Sequence, residues 1–160
     1  MQHLLQVSRK VDYALRAMIH LASLPPGTRA PQQEVAARQD IPREFLAKIL
    51  KTLADKGMVS ALRGPHGGVA IARPPEEVSF LEVIEAVEGP VVLNLCLDQQ
   101  QGCTKGATCT MQSVWRAGQE RMLDVYRTTM LASLVPQEGV SAPVPLHLDH
   151  VRVDRVAEAR

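Results

Sequence analysis

Apolar side chains in the first half of this 160-residue chain recur in three- and four-residue steps, interrupted by short runs of proline, glycine and charge. Val7, Val11, Leu15, Met18 and Leu21/Ala22 make the first stripe. They predict an amphipathic helix to about Leu24, with Ser8 as its N-cap and Pro25-Pro26-Gly27 as its end. A second helix is expected from Pro31, a residue suited to a first helical turn, through Val35 and Ala36 to about Gln39. Asp40-Ile41-Pro42 breaks the pattern. A third helix then runs from about Pro42 to Lys56, predicted to bury Phe45/Leu46, Ile49/Leu50 and Leu53 and to stop at Gly57.

The period next changes from helical to extended. Met58–Leu62 and Val69–Ala72 are strand candidates joined by Arg63-Gly64-Pro65-His66-Gly67-Gly68. Pro74-Pro75 forms a stiff connector. Ser79 caps a short helix, with Glu82 three residues on completing a capping box and Gly89-Pro90 closing it. A last amphipathic stripe, Met111, Val114/Trp115, Gly118, Met122, Val125/Tyr126, Met130 and Leu134, predicts one long helix from about Met111 to Leu134. A single domain of this size cannot easily cover both sides of such a helix. Pairing with its copy in a two-fold dimer is the economical reading, with an intramolecular core as the alternative. The tail from Pro136 is poorly periodic and is expected to be disordered or loosely docked.

Two helices around a tight turn followed by a hairpin match a winged helix-turn-helix. The outward face of the third helix carries Arg43, Glu44, Ala47, Lys48, Lys51 and Thr52, side chains able to meet phosphates or base edges. Arg63 and His66 stand at the hairpin tip, where an arginine can enter a narrow minor groove. An ordinary solvated helix face and a plain surface hairpin are the alternatives. Charge adds a modest asymmetry. Residues 1–77 hold eleven Lys/Arg against seven Asp/Glu (+4), and residues 78–160 hold seven against ten (−3). The N-terminal half is therefore the candidate for an anionic partner.

All three cysteines, Cys96, Cys103 and Cys109, fall in one polar segment without helical or strand periodicity. The first residues lack the apolar block of a signal peptide and no run is long enough to cross a bilayer, so a cytoplasmic protein with reduced thiols is expected. An odd number of clustered cysteines then points to metal or redox chemistry rather than a disulfide framework. Three thiolates plus one weaker donor suit an iron–sulfur cluster, and equally a structural zinc. Gly102 and Gly106 would let the segment curl and aim backbone N–H groups at cluster sulfurs. No acid–base or nucleophile constellation stands out, and an enzyme is not expected.

Asp12-Tyr13-Ala14-Leu15-Arg16, Leu62-Arg63-Gly64-Pro65-His66-Gly67-Gly68, Arg73-Pro74-Pro75-Glu76-Glu77 and Val83-Ile84-Glu85-Ala86-Val87-Glu88-Gly89, with three cysteines before a helix containing Trp115, resemble the IscR/NsrR-type (Rrf-two) family of bacterial winged-helix regulators. The resemblance spans about residues 7 to 134. It implies a homodimer whose winged helices bind a palindromic operator in double-stranded DNA and whose cysteines hold an iron–sulfur cluster that sets DNA affinity. Two departures stand out. Six residues separate Cys96 from Cys103 and five separate Cys103 from Cys109, one more in the first gap than in IscR-like loops. The histidine that such proteins carry three residues after the last cysteine is Gln112 here, a poor iron ligand. In NsrR-like members an aspartate from the partner subunit ligates, and the matching residue is Asp12. A helix-surface carboxylate paired with Arg9 or Arg16 is the alternative for Asp12, and His147 and His150 are further donor candidates. Ala47 replaces an acidic residue of the IscR recognition helix, so the operator does not carry over.

The resulting expectation is a mainly α fold with a small β-hairpin wing: a winged helix-turn-helix over residues 1–77, the cysteine loop (about 90–110) and a long dimerisation helix over 78–135, and a flexible tail over 136–160. Cys96, Cys103 and Cys109, with Asp12 from the partner, would hold a two-iron cluster, with a four-iron cluster as the alternative. Arg43, Glu44, Lys48, Lys51, Arg63 and His66 would contact DNA. A cluster-free regulator using its cysteines for thiol sensing or zinc, or a small iron–sulfur electron carrier, are the competing readings.

Overall fold

The computed structural model describes residues 7–64, 67–98, 103, 105 and 108–136. Helix α1 (Arg9–Ala22) starts where Ser8 accepts a hydrogen bond from the Val11 N–H, and it buries Val11, Ala14, Leu15, Ala17, Met18 and Leu21 on one face. Helices α2 (Gln32–Arg38) and α3 (Arg43–Asp55) follow across a tight turn. In that turn Asp40 adopts φ 51°, a left-handed conformation that a short polar side chain tolerates, and the Ile41 N–H returns to the Ala36 carbonyl at 2.9 Å. The α3 stop is Gly57 at φ 71°, after which the Met58 N–H reaches back to the Leu53 carbonyl.

Strands β1 (Val59–Leu62) and β2 (Gly68–Ile71) pair antiparallel, from Val59 opposite Ile71 to Leu62 opposite Gly68. Ala30 adds a one-residue bridge to Val69, with reciprocal hydrogen bonds of 2.9 and 2.8 Å. This close approach explains the paired glycines. A Cβ on Gly68 would lie 2.7 Å from the Ala30 carbonyl oxygen, and one on Gly67 2.3 Å from that of Leu62. The hairpin is thus stitched to the segment before α2, which fixes the wing beside α3.

Helix α4 (Phe80–Glu88) shows the full capping box: Ser79 Oγ accepts from the Glu82 N–H, and the Glu82 carboxylate accepts from the Ser79 N–H. Arg73 pairs with the same carboxylate at 2.9 Å. Burial pushes the Glu82 carboxyl up, but these hydrogen bonds and the Arg73 charge outweigh it and leave the group below its ordinary value. Val83 and Val87 bury against α1, and Lys10 of α1 donates to the Val87 carbonyl.

Two expectations change. Phe45 is 56% exposed rather than buried, its ring meeting Tyr13 edge-on at 6.4 Å. It sits one position off the stripe of Leu46, Ile49, Leu50 and Leu53, which fills the core without it. The C-terminal helix is not continuous from Met111 to Leu134. Helix α5 runs Gln112–Thr128, the chain extends through Thr129 and Met130, and α6 (Leu131–Leu134) follows. The break is held by backbone pairing: Phe80 N–H to the Thr129 carbonyl at 2.8 Å, and Leu131 N–H to the Val78 carbonyl at 2.9 Å. It delivers Leu131, at 0% exposure, into the core. Pro74-Pro75, the stiff connector, leads into a short 3-10 turn, Pro75–Glu77.

Candidate nucleic-acid interface and cysteine site

The α3 stripe that fills the core sends the opposite face of the helix to solvent. Arg43, Glu44, Phe45, Ala47, Lys48 and Lys51 are all exposed, while Thr52 is half-buried and spends its hydroxyl on the Lys48 carbonyl. Arg63 stands exposed where β1 leaves for the wing tip; His66 lies outside the described residues. Between α3 and the hairpin lies a cleft of about 570 Å³ lined by Gln32, Gln33, Ala47, Lys51, Arg63 and Gly67, among others. The sequence reading named Lys51 and Arg63 but missed Gln32 and Gln33. Their signal was weak, because the start of α2 meets the wing through tertiary contacts, the Ala30–Val69 bridge and the Arg29 guanidinium donating to the Ser60 carbonyl. Phe45 was missed as a surface residue for the reason already given.

Asp12 lies exposed on α1, and the Arg16 guanidinium donates to it at 2.8 Å. The same guanidinium donates to the Gln39 carbonyl at 2.8 Å, in the turn between α2 and α3, and sits 5.0 Å from the centre of the Tyr13 ring, which in turn touches Phe45. Asp12 is thereby linked through one arginine to the helix-turn-helix.

All three cysteines are free thiols. Cys96 is half-buried in a 3-10 turn (Leu95–Leu97), Cys109 is half-buried three residues ahead of α5, and Cys103 is exposed. Gln112, the first residue of α5, touches the first two. Its backbone N–H donates to the Cys109 carbonyl at 3.2 Å, and its side-chain Nε2 donates to the Cys96 carbonyl at 3.3 Å. Two turns further along α5, the Leu93 N–H donates to Gln119 Oε1 at 2.8 Å. The segment before the first cysteine therefore lies along α5. Among the described residues, no three His, Cys, Asp or Glu side chains converge. His147 and His150, like Gly102 and Gly106, fall outside the described residues. The donor set fits a soft metal centre, being three unbridged thiols of which two are held at one helix end.

Helix α5 has no buried residue. Tyr126 packs on Phe80 with ring centres 5.2 Å apart, whereas Val114 (70%), Val125 (41%), Trp115 (36%) and the preceding Met111 (61%) are exposed. At these spacings the four share one side of the helix. No helix among the described residues is long and apolar enough to cross a membrane.

The sequence model of the Rrf2 family, described as an iron-dependent transcriptional regulator, matches residues 7–137. A helix-turn-helix-type transcriptional regulator of Mycobacterium tuberculosis is 35% identical over 130 residues, 81% of each chain. IscR of Xenorhabdus nematophila is 29% identical over 136 residues, 85% of this chain and 82% of its own. Among solved structures, T. potens IscR is similar with a TM-score of 0.69 at 22% identity, covering 87% of this chain and 94% of that one. The oxidised form of Staphylococcus aureus CymR is similar with a TM-score of 0.66 at 22% identity, covering 83% and 98%. At such identity these two structures speak to the fold alone. The curated relatives are transcriptional regulators, not enzymes.

Proposed function

Because the chain belongs to the Rrf2 family of transcriptional regulators, we propose that it is a homodimer that binds a palindromic operator and whose DNA affinity is set by an iron–sulfur cluster on Cys96, Cys103 and Cys109. The observation that carries the cluster reading is the concentration of every cysteine in one stretch, with Cys96 and Cys109 both hydrogen-bonded to the first residue of α5. A cluster would supply a centre whose assembly, loss or change of state alters what this segment can hold in place. A two-iron cluster is favoured over a four-iron one, and Asp12 of the partner subunit is the proposed fourth ligand. Ligation would draw the carboxylate away from Arg16, the side chain that also holds the Gln39 carbonyl.

In the same reading α3 lies in the major groove, where Arg43, Lys48 and Lys51 meet phosphates and guanine edges and Glu44 accepts from cytosine. Exposed Phe45 offers an apolar contact for a thymine methyl. Arg63, with His66, reaches the minor groove from the wing, and Gln32 and Gln33 border the approach. The exposed stripe of Met111, Val114, Trp115 and Val125 is the face that a second copy covers. Functionally, residues 1–77 read DNA, residues 78–135 sense and dimerise, residues 136–160 form a tail, and the protein works in the cytoplasm, where the thiols stay reduced.

The test is anaerobic purification with iron, sulfide and spectral analysis. Coloured protein with stoichiometric iron and sulfide, both lost in Cys103→Ala, supports the reading, and colourless iron-free wild type contradicts it. A second reading, a cluster-free regulator sensing through thiols or zinc, is favoured by one observation: Cys103 is an exposed free thiol, whereas Cys96 and Cys109 are half-buried. Zinc without sulfide, or reversible oxidation that changes DNA affinity in metal-free protein, would select it.

A further inference from the structure

Resting on the cluster reading, we infer that Gln112 is a positioning residue that presets two of the three cysteines, and not a ligand. The chemistry of its contact decides the second half. The Cys96 carbonyl oxygen can only accept, so the side-chain atom 3.3 Å away is the amide nitrogen, whose lone pair is delocalised and unavailable to a metal. Its remaining oxygen is a hard donor, poorly matched to iron already held by thiolates.

The first half follows from what the residue joins. Cys96 and Cys109 are thirteen positions apart in the sequence, and Gln112 bonds both backbones at once, one through its own N–H and the other through its side chain. Gln119 stands seven positions further along α5, on nearly the same helical face, and holds Leu93 at 2.8 Å. The stretch from Leu93 to Cys96 is thus pinned at both ends along the helix. Between and beyond the pins, the Cys96 turn closes through Leu97 N–H to the Asn94 carbonyl at 2.8 Å and Asp98 N–H to the Leu95 carbonyl at 3.1 Å. Cys103 has no such tether among the described contacts. Gln112 thus sets the backbones that carry two of the thiols, and the fourth position falls to a donor other than its own side chain.

The test compares wild-type full-length protein with Gln112→Ala and Gln112→Glu. The glutamate keeps the shape but turns an acceptor towards the Cys96 carbonyl. Ser113→Ala, which loses only a local bond to the Thr110 carbonyl, is the control. In iron-free protein, amide hydrogen exchange at Leu97 and Asp98 should be about three- to tenfold faster in both Gln112 variants, the range expected for loss of one hydrogen bond. After anaerobic reconstitution, the variants should start with wild-type iron content and visible spectrum but release iron to a ferrous chelator about three- to tenfold faster. Ser113→Ala should match wild type in both. Wild-type exchange and release in the Gln112 variants would overturn the clamp. Loss of iron or a changed starting spectrum in Gln112→Ala, with exchange unchanged, would make Gln112 a ligand and overturn the proposal. Should wild type itself take up no iron, the cluster reading and the sensor role of the clamp both fail, while the exchange rates still decide whether the clamp exists.

Discussion

Helix α3 hides Leu46, Ile49, Leu50 and Leu53 while its other side meets solvent, whereas the longer α5 buries none of its residues and leaves Val114 70% exposed. The body of α1–α4 and the hairpin buries most of its apolar side chains, with Phe45 and Leu62 as exposed exceptions. The cysteine segment and α5 bury little: Met111, Val114, Trp115 and Val125 stand exposed along one stripe. The contrast separates a region with a closed core from a region that, in our reading, is finished by association with a second subunit and with a metal centre. Leu131 marks the seam, since it follows α5 in sequence yet packs at 0% exposure in the body.

The contrast breaks most visibly through the core. Leu53→Ala and Leu131→Ala, both fully buried, should each destabilise the protein by about 2–5 kcal/mol in urea unfolding. A small loss at Leu131 would detach α6 from the body. On the other side of the contrast, Val114→Glu should leave the body folded by circular dichroism but weaken self-association by a factor of about 30 or more in sedimentation equilibrium. Unchanged association would remove this face from the dimer. Arg63→Ala should weaken operator binding about tenfold and lower the slope of log affinity against log salt by about one, as expected when one phosphate or groove contact is lost. Ser79→Ala should cost about 1 kcal/mol by removing the α4 cap. Glu82 sharpens this smallest effect. Its carboxyl sits below the ordinary value of 4.5, so its contribution is fully present above that pH and is lost as pH falls through the folded value. The difference in Tm between wild type and Glu82→Gln should therefore shrink on acidification.

The elements that were legible in the sequence are those whose local chemistry and tertiary role agree. The α1 stripe with its Ser8 cap, the Asp40-Ile41-Pro42 turn, the α3 core face and the Ser79/Glu82 box each contain the interaction that sets them. What escaped depends on a partner distant in the chain. Met130 and Leu134 continue the helical period, but backbone pairing with Val78 and Phe80 outweighs it. Phe45 continues the apolar run but lies off the buried stripe of α3, its ring meeting Tyr13 of α1 edge-on. At the candidate site, the cysteines announced themselves by type and spacing, and Gln112 could be excluded as an iron ligand by its chemistry. Its hydrogen bond to a carbonyl sixteen positions away has no sequence signature.

The central claim joins the two regions: the state of the cysteine segment sets the grip of the body on DNA. Operator affinity measured anaerobically at fixed salt, for the same preparation before and after iron removal, tests it most directly. The account predicts a change of at least about tenfold, or about 1.4 kcal/mol, that is absent in Cys103→Ala. Equal affinity with and without iron, in protein shown to carry a cluster, would contradict it.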